Sequence, residues 1–249
     1  MRVIINADDC GYNSHVNSKI EEAIIANTIT STTIMANMDD LKGAVNLYKK
    51  YRDTISFGFH LNLTEGSPLC YSQLLLDSGF YKEEASNILF NGASFRRRIL
   101  TANMRDEIRK EVIEQATVLM DNGIEISHID SHHFMHQSIF MLDILPDICS
   151  KLGVYKVRNY RNYMPFTMNR MLRNVWHLLL KTRNPALNFT DWFTSFQSFI
   201  EQKAIAYGNN ETIELMVHPG GIYSEEENML ASIDIEKEYN FKKINYNQL

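Results

Sequence analysis

The fold is decided by residues 2–9, Arg-Val-Ile-Ile-Asn-Ala-Asp-Asp, and by the helical stretch that follows them. The β-branched run Val3–Ile5 predicts a buried strand over Arg2–Asn6, and the apolar spacing after Ser14 predicts a helix to about Ala26. Ser14 is the expected cap of that helix, because a serine side chain can accept a hydrogen bond from the first helical amides. A strand followed by a helix is the repeating unit of α/β proteins.

The same alternation of strand and helix continues along the chain. Further strands are predicted at Thr30–Met35, Ile55–Leu61, Ile126–Asp130, Val154–Val157 and Thr212–Val217. Helices are predicted at Leu41–Tyr51, Met104–Asp121, Ser138–Leu152 (interrupted by Pro146), Met171–Leu180 and Glu201–Tyr207. No linker or repeat divides the chain, so we expect a single α/β domain over residues 1–249. Its parallel sheet is covered by helices and is either closed as a barrel or open.

Composition excludes several classes of protein. The chain has 249 residues, of which 45% are hydrophobic and 22% charged, as is ordinary for a soluble globular protein. The formal net charge of −5 gives no reason to expect nucleic acid as a partner. No apolar run reaches the roughly 18 residues of a membrane span, and the first apolar run is too short for a signal peptide, so we expect a cytoplasmic protein. The three cysteines form no CxxC pair, which argues against disulfides and a thiolate zinc site.

Polar clusters follow four of the predicted strands, at the point where each strand ends. They are Asn6–Asp9, His60–Thr64, His128–His136 and His218–Pro219. Because the carboxyl ends of parallel strands meet at one edge of a sheet, we expect these clusters to converge where α/β enzymes place their active residues. Residues 128–136 hold four of the chain's eight histidines, and histidine is the commonest protein ligand of transition metals.

The adjacent carboxylates of Asp8 and Asp9 are a second chemical signal. Two like charges at the mouth of a buried strand are unfavourable unless a cation or a shared proton compensates them. Taken alone, the pair could equally form an exposed turn or cap a helix, since aspartate is favoured in both. The histidines at the other strand ends favour a metal.

One carboxylate with two imidazoles leaves open positions on a metal, which is typical of catalytic rather than structural sites. Asp9, His60 and His132 are the predicted ligands. A metal lowers the pKa of bound water and polarises a carbonyl oxygen. Asp8 is therefore the predicted base, and His218 is the predicted acid that protonates a leaving group.

Other polar residues of these clusters, and one beyond them, are predicted to orient the ligands or to contact substrate. They are His128, Asp130, His133, His136, Asn62 and Arg158. Asp130 shares a strand face with His128 and His132, so it is placed to accept a ring N–H from a ligand histidine and fix its tautomer. His132 and His133 should point to opposite sides of an extended segment, so only one of them is expected at the metal.

Five motifs, in this order, resemble those of the YdjC-like carbohydrate deacetylases. They are Asn-Ala-Asp-Asp-x-Gly at 6–11, Thr-Ser-Thr-Thr at 30–33, Gly-x-His-Leu-Asn-Leu-Thr-x-Gly at 58–66, His-x-Asp-Ser-His-His-x-x-His at 128–136 and His-Pro-Gly at 218–220. The resemblance covers most of the chain, from residue 2 to about 225.

This resemblance implies a TIM-barrel-like (β/α) barrel with parallel strands and outer helices. It also implies a metal-dependent enzyme, using magnesium or zinc, that removes acetyl groups from N-acetylated sugars such as short chitooligosaccharides. The family's ligands correspond to Asp9, His60 and His132, its base to Asp8 and its acid to His218. Family members are often homodimers, which the sequence neither supports nor excludes. Cys10 and Phe134 stand where the family usually has phenylalanine and histidine.

Residues 159–195 match the family poorly and are rich in aromatic side chains. Arg158 with Tyr160, Tyr163, Trp192 and Phe193 could stack on sugar rings or a dimer partner, or the aromatic residues could fill a core. Two other functions are left open. One is a metal-dependent hydrolase of another amide, an ester or a phosphate on the same scaffold, and the other is a sugar-binding protein without catalysis.

Overall fold

The computed structural model describes residues 1–160, 162–163, 168–201, 210–221 and 224–249. The strands within these residues are β1 (Arg2–Cys10), β2 (Ser31–Ile34), β3 (Ser56–Leu61), β4 (Tyr81–Glu84), β5 (Asn87–Phe90), β6 (Ile129–Ser131), β7 (Trp192–Ser195), β8 (Thr212–Val217) and β9 (Lys242–Lys243). The helices are α1 (Ser14–Ile25), α2 (Leu41–Tyr51), α3 (Gln73–Asp77), α4 (Ala102–Asp121), α5 (Met141–Leu152), α6 (Met168–Arg183), α7 (Phe196–Glu201), α8 (Ser224–Ser232) and α9 (Ile235–Tyr239).

Seven of the described strands form one parallel sheet in the order β6-β3-β2-β1-β8-β7, with β9 paired to the start of β1. β1 lies in the middle, where Asn6 is opposite Ser31 of β2 on one side and Met216 of β8 on the other. β3 is buried along its whole length and β1 along most of it, because parallel strands are covered on both faces.

Residues 154–157 connect the two ends of this sheet. Isolated bridges pair Val157 with Ile129 of β6 and Lys156 with Asn188, just ahead of β7. The strand predicted for this segment is therefore wrong, because each bridge goes to a different neighbour and no continuous ladder forms. The two bridges link β6, at one edge of the sheet, to the chain just ahead of β7, at the other edge. The sheet therefore curves into a (β/α) barrel with parallel strands and outer helices, which confirms the predicted fold class.

Two helix predictions are corrected by the structure. Asn13, not Ser14, caps α1, because the Asn13 side chain accepts a hydrogen bond from the amide of Val16 at 2.9 Å. Pro146 lies inside α5 and does not interrupt it. A proline removes one helical hydrogen bond, and the mainly buried apolar face of α5 compensates for that loss.

The stretch between β3 and α4, which has no clear periodicity in sequence, contains α3 and the antiparallel hairpin of β4 and β5. The predicted helix Glu201–Tyr207 begins on the last residue of α7, and its other residues lie outside the described ranges. Among the described helices, none combines the length and the apolar character needed to cross a membrane.

The barrel interior holds charged groups as well as apolar side chains. Arg158 and Glu214 are fully buried, and Nε of Arg158 donates to Oε1 of Glu214 at 2.7 Å. Tyr246 donates its hydroxyl proton to Oε2 of Glu214 at 2.5 Å and its amide proton to the hydroxyl of Ser56. Because Ser56 is the first residue of β3, Tyr246 fills the amino-terminal end of the barrel. The opposite end carries the polar clusters.

Candidate active site

A bulge near the end of β1 turns two adjacent aspartates toward one cleft. Neighbouring side chains of a regular strand point to opposite faces. Between Ala7 and Cys10, β1 contains one more residue than β2, and Asp9 adopts a left-handed backbone with φ of 67°. Aspartate tolerates this conformation better than most residues do. As a result, Asp8 and Asp9 both line the cleft.

Asp9 is the point where the two predicted histidine ligands meet. Its Oδ1 lies 3.1 Å from Nε2 of His60 and 2.8 Å from Nδ1 of His132. His60 lies near the end of β3, and His132 directly follows β6. Three strand ends therefore bring these residues together, and we call Asp9, His60 and His132 the candidate metal set.

Asp130 selects the tautomer of His60. Nδ1 of His60 lies 2.7 Å from Oδ1 of Asp130, while the Thr33 hydroxyl donates to Oδ2 of the same carboxylate at 3.0 Å. With Asp130 accepting from Nδ1–H, a neutral His60 carries its lone pair on Nε2. That Nε2 is buried and makes no hydrogen bond to any described residue. Asp130 thus takes the position expected of a group that orients a ligand histidine.

The carboxylates around His60 and His132 favour the positively charged form of both imidazole rings. Burial alone lowers the pKa of His60, but Asp130 and Asp9 outweigh it and raise that pKa to about 10. Burial also lowers the pKa of His132, but Asp9 and Glu65 raise it to about 9. Burial raises the pKa of Asp9, yet the two histidines hold it well below its usual value. Surroundings that favour two imidazolium ions also favour a divalent cation in their place.

The candidate metal set fits a divalent metal by its donor types and spacing. One oxygen and two nitrogen donors suit zinc and other transition metals, whereas magnesium prefers oxygen ligands. The three donor atoms lie within 4.8 Å of one another. Atoms that bind one ion, each at about 2.0–2.2 Å from it, must lie close to one another, as these three donor atoms do.

Arg158 holds the carboxylate of Asp8. Its Nη1 and Nη2 donate to Oδ2 and Oδ1 of Asp8, each at 2.6 Å, and Asn6 donates to Oδ1 at 2.9 Å. Burial raises the pKa of Asp8, but the charge and hydrogen bonds of Arg158 outweigh burial and lower it, so Asp8 is ionised at neutral pH. Because Arg158 is fully buried, the expectation that it might stack on a sugar ring is wrong.

Arg158 also compensates two further buried carboxylates. Its Nη2 lies 2.8 Å from Oδ2 of Asp130, and its Nε contacts Glu214 as described above. Burial raises the pKa of Glu214 to about 7, although Arg158 and Tyr246 act in the opposite direction. One guanidinium therefore serves Asp8, Asp130 and Glu214, and removing it would leave uncompensated charge in the barrel.

His218 follows β8 and lines the same cleft. Its backbone amide donates to Oε2 of Glu226 at 2.8 Å, and its Nδ1 lies 3.4 Å from that oxygen. Burial lowers the pKa of His218, but Glu226 and the charges of Asp8 and Asp9 outweigh burial and raise it. A raised pKa favours the protonated imidazole, which is the form that a general acid needs.

Two of the predicted orienting histidines lie away from the cleft. His128 is fully buried, with its ring stacked on Tyr246 at a centroid distance of 3.5 Å. His136 is buried with Nδ1 2.5 Å from the hydroxyl of Ser131. Burial lowers the pKa of both histidines well below the usual value, so both are neutral. Neither is among the described residues that line the cleft, so neither lies where a ligand bound in the cleft would contact it.

His133 lines the cleft beside His132, but the two rings do not point to opposite sides as expected. Their centroids are 4.0 Å apart. The segment is a tight turn rather than an extended strand, and His133 has a φ of 51°. Only His132 of this pair contacts Asp9, whereas Nδ1 of His133 lies 3.1 Å from the hydroxyl of Thr64.

The aromatic residues after Arg158 mostly fill the core. Tyr160, Tyr163 and Phe193 are buried, and the Arg158 guanidinium lies 5.0 Å from the Phe193 ring centre. Trp192 is half-buried and donates its indole N–H to Glu211 at 2.9 Å. The three buried rings therefore fill the core, as one of the two alternatives predicted, and they expose no surface on which a sugar or a dimer partner could stack.

Sequence reasoning missed three glutamates at or near the site. Glu214 lies between apolar Ile213 and Leu215 in a buried strand, and a lone charge there requires a buried partner, so this signal was available in the sequence. Glu226 lies in the run Glu225–Glu227 at the start of α8, which carries no signal of a histidine partner. Glu65 occupies one of the two variable positions of the motif at 58–66. Pairing Glu226 with His218 and Glu65 with His132 depends on the fold.

The site residues open into a cleft of about 800 Å³. This volume is within the usual range for small-molecule sites. Tyr12 and Phe134 supply aromatic surface, and Gln197 and Ser198 supply hydrogen-bonding groups. The cleft can therefore bind a ligand that has both apolar faces and hydroxyl or amide groups.

Comparison with known proteins identifies the family of the chain and supports its fold. A family model described as YdjC-like protein matches residues 2–243. A carbohydrate deacetylase of Clostridium beijerinckii is 26% identical over 231 residues, which cover 90% of this chain and 84% of that protein. A carbohydrate deacetylase of Brevibacillus brevis is 34% identical over 156 residues, but the match covers only 62% of this chain and 58% of that relative.

A solved structure shares the architecture. A protein from Enterococcus faecalis V583, named for cellobiose-phosphate cleavage, superposes with a TM-score of 0.77 at 20% identity, covering 99% of this chain and 98% of that one. At this identity the likeness concerns the fold alone. The family model, by contrast, spans nearly the whole sequence, and on that basis the chain belongs to the YdjC-like protein family.

Proposed function

We propose that the protein is a metal-dependent hydrolase that removes the acetyl group from N-acetylated sugars, with short chitooligosaccharides as substrates. The observation that carries this proposal is the carboxylate of Asp8. It lies beside the candidate metal set in one cleft and is kept ionised by Arg158. Relatives named carbohydrate deacetylase support deacetylation of a carbohydrate, and short chitooligosaccharides are our choice within that class.

In the proposed reaction, each proton transfer is assigned to a residue of this chain. A divalent ion held by Asp9, His60 and His132 would lower the pKa of water and polarise the acetyl carbonyl group. Asp8 accepts a proton from the water that adds to the carbonyl carbon. The C–N bond then breaks, and His218 donates a proton to the departing sugar amine while acetate is released.

The donor set supports zinc over magnesium as the metal, because two of its three donors are imidazoles. We further propose that residues 1–249 act as one domain, in the cytoplasm, on a small carbohydrate. A homodimer is compatible with this proposal and is not required by it.

Acetate release from diacetylchitobiose tests the proposal, with zinc-loaded and magnesium-loaded protein measured in parallel. Acetylated alcohols and phosphate esters serve as competing substrates. We expect acetate from the sugar amide and its loss in the Asp9→Ala and His132→Ala proteins. Undiminished release by either variant, or turnover of a phosphate ester alone, would overturn the assignment.

A further inference from the structure

His132 lies between two carboxylates, one at each ring nitrogen. Its Nδ1 is 2.8 Å from Oδ1 of Asp9, and its Nε2 is 3.4 Å from Oε1 of Glu65. His60 has the same arrangement with the nitrogens exchanged: Nε2 faces Asp9, and Nδ1 faces Asp130. Each imidazole of the candidate metal set thus has Asp9 on one side and a second carboxylate on the other.

Glu65 is held in place from its backbone. The side-chain oxygen of Asn62 accepts hydrogen bonds from the amides of Thr64 and Glu65, at 3.1 and 3.2 Å. The side-chain amide of Asn62 donates to the Glu65 carbonyl at 2.7 Å. Gly66 then continues the turn with a φ of 70°. Asn62, which we expected to orient a ligand or contact substrate, thus positions the turn that carries Glu65.

The Glu65 side chain is also restrained at its far end. The hydroxyl of Tyr12 donates to Oε2 at 2.9 Å. Oε1 is left facing the imidazole of His132, with Nε2 of His133 more distant at 3.9 Å. At 3.4 Å, Nε2 of His132 makes no hydrogen bond to Glu65. A normal N–H···O bond is about 2.9 Å, so a shift of roughly half an ångström closes the gap.

We propose that Glu65 is the positioning residue of His132: it accepts the Nε2–H proton and leaves the Nδ1 lone pair for the metal. This inference rests on the metal dependence of the proposed function. A neutral imidazole has one N–H and one lone pair, so a carboxylate at Nε2 selects the tautomer that binds through Nδ1. The two histidines would then bind through opposite ring nitrogens, Nε2 of His60 and Nδ1 of His132.

The alternative is a direct ligand role for Glu65, in a group with His132 and His133. Two observations favour the positioning role. Glu65 Oε2 is already occupied by Tyr12, and Nδ1 of His132 is closer to Asp9 than Nε2 is to Glu65. A glutamine separates the two roles, because its neutral side-chain oxygen still accepts an N–H but is a poor metal ligand.

Zinc affinity of the full-length protein, measured by competition with a chelating dye, tests this inference without relying on activity. We expect Glu65→Ala to weaken zinc binding about 10- to 100-fold, the usual loss when such a partner is removed. Glu65→Gln should recover most of that loss, and Tyr12→Phe should weaken binding by about fivefold or less. Glu84→Ala, on the exposed β4–β5 hairpin, is the matched control and should bind like the parent protein.

Nitrogen-15 NMR of the histidines in the zinc-loaded parent protein gives an independent readout. We expect metal-shifted Nδ1 for His132 and metal-shifted Nε2 for His60. A metal-shifted Nε2 of His132, equal losses for Glu65→Ala and Glu65→Gln, or no loss in either variant would overturn the role of Glu65. If the parent protein binds no zinc or magnesium at all, the proposed function fails, and this result is distinct from the others.

Discussion

Both terminal nitrogens of Arg158 bind the two carboxylate oxygens of Asp8, each at 2.6 Å. The two residues are 150 positions apart in the chain. This fork fixes the plane of the Asp8 carboxylate and keeps it ionised inside a buried environment. A carboxylate held in this way can act as the proposed base without first having to reorient.

Arg158→Lys should therefore remove most of the activity of a folded protein. A lysine keeps the charge but cannot form the paired contacts, so Asp8 loses its fixed orientation. We expect kcat for acetate release to fall about 100-fold or more, since a misplacement of about 1 Å can have that effect. Arg183→Lys is the control, because Arg183 pairs with Asp143 at the surface. An unchanged kcat in folded Arg158→Lys protein would show that the fork is dispensable.

Asp8→Asn and Asp9→Asn should separate proton transfer from metal binding. Asp8 makes its close contacts with Arg158 and Asn6, whereas Asp9 contacts both histidines of the candidate metal set. We expect Asp8→Asn to lower kcat about 10²- to 10⁴-fold with zinc affinity retained. Asp9→Asn should weaken zinc binding as well. Paired measurements of zinc affinity and acetate release check this, and equal effects of the two substitutions on affinity would contradict it.

Glu226→Gln should move the alkaline limb of the pH–rate profile to lower pH. As the proposed general acid, His218 must be protonated, so activity is expected below its pKa and is expected to be lost as the pH rises through that value. Glu226 helps to raise this pKa. Removing its charge lowers the pKa, and activity is then lost at a lower pH. Asp8, whose pKa is lowered, stays ionised over the same range.

A profile of kcat against pH for the parent protein and Glu226→Gln checks this prediction. His218→Ala, which removes the acid itself, should lower kcat about 10²- to 10⁴-fold at every pH. An alkaline limb that stays in place when Glu226 is replaced would assign that limb to another group.

Tyr246→Phe should destabilise the barrel without disturbing the metal site. The substitution leaves Oε2 of buried Glu214 without its phenol donor. We expect the free energy of unfolding to fall by about 1.5–3 kcal/mol, as for hydrogen bonds to charged groups. Urea denaturation measures the change, with zinc affinity as the second readout. Tyr71→Phe, at an exposed tyrosine, should change stability by less than about 0.5 kcal/mol.

Part of the site could be predicted from the sequence, because it depends on the pattern of apolar and polar residues that are neighbours in the chain. Apolar runs located most of the sheet's strands, and the parallel arrangement places their carboxyl ends at one edge. That reasoning predicted the convergence of Asp9, His60 and His132, and the structure brings these three together. It failed for residues 154–157, where a run of strand-like residues forms only single bridges.

Side-chain orientation at the site could not be predicted in the same way. The bulge that turns Asp8 and Asp9 to one side needs an unusual backbone at Asp9, which aspartate permits but does not require. The tight turn at His133 likewise reversed the expectation for two adjacent histidines. In both places, contacts of the folded chain select a backbone that a strand pattern does not predict.

The sequence by itself predicted parallel strands covered by helices, because strand periodicity is a property of neighbouring residues. Its motifs indicated the family, and that resemblance implied the barrel and the candidate ligands Asp9, His60 and His132. Only the tertiary structure decided which side chains form hydrogen bonds with one another at the site. The pairs His60–Asp130, His132–Asp9 and Asp8–Arg158 join residues 70, 123 and 150 positions apart. Hydrogen bonds depend on distances of a few tenths of an ångström, and across such separations only the closed barrel determines those distances.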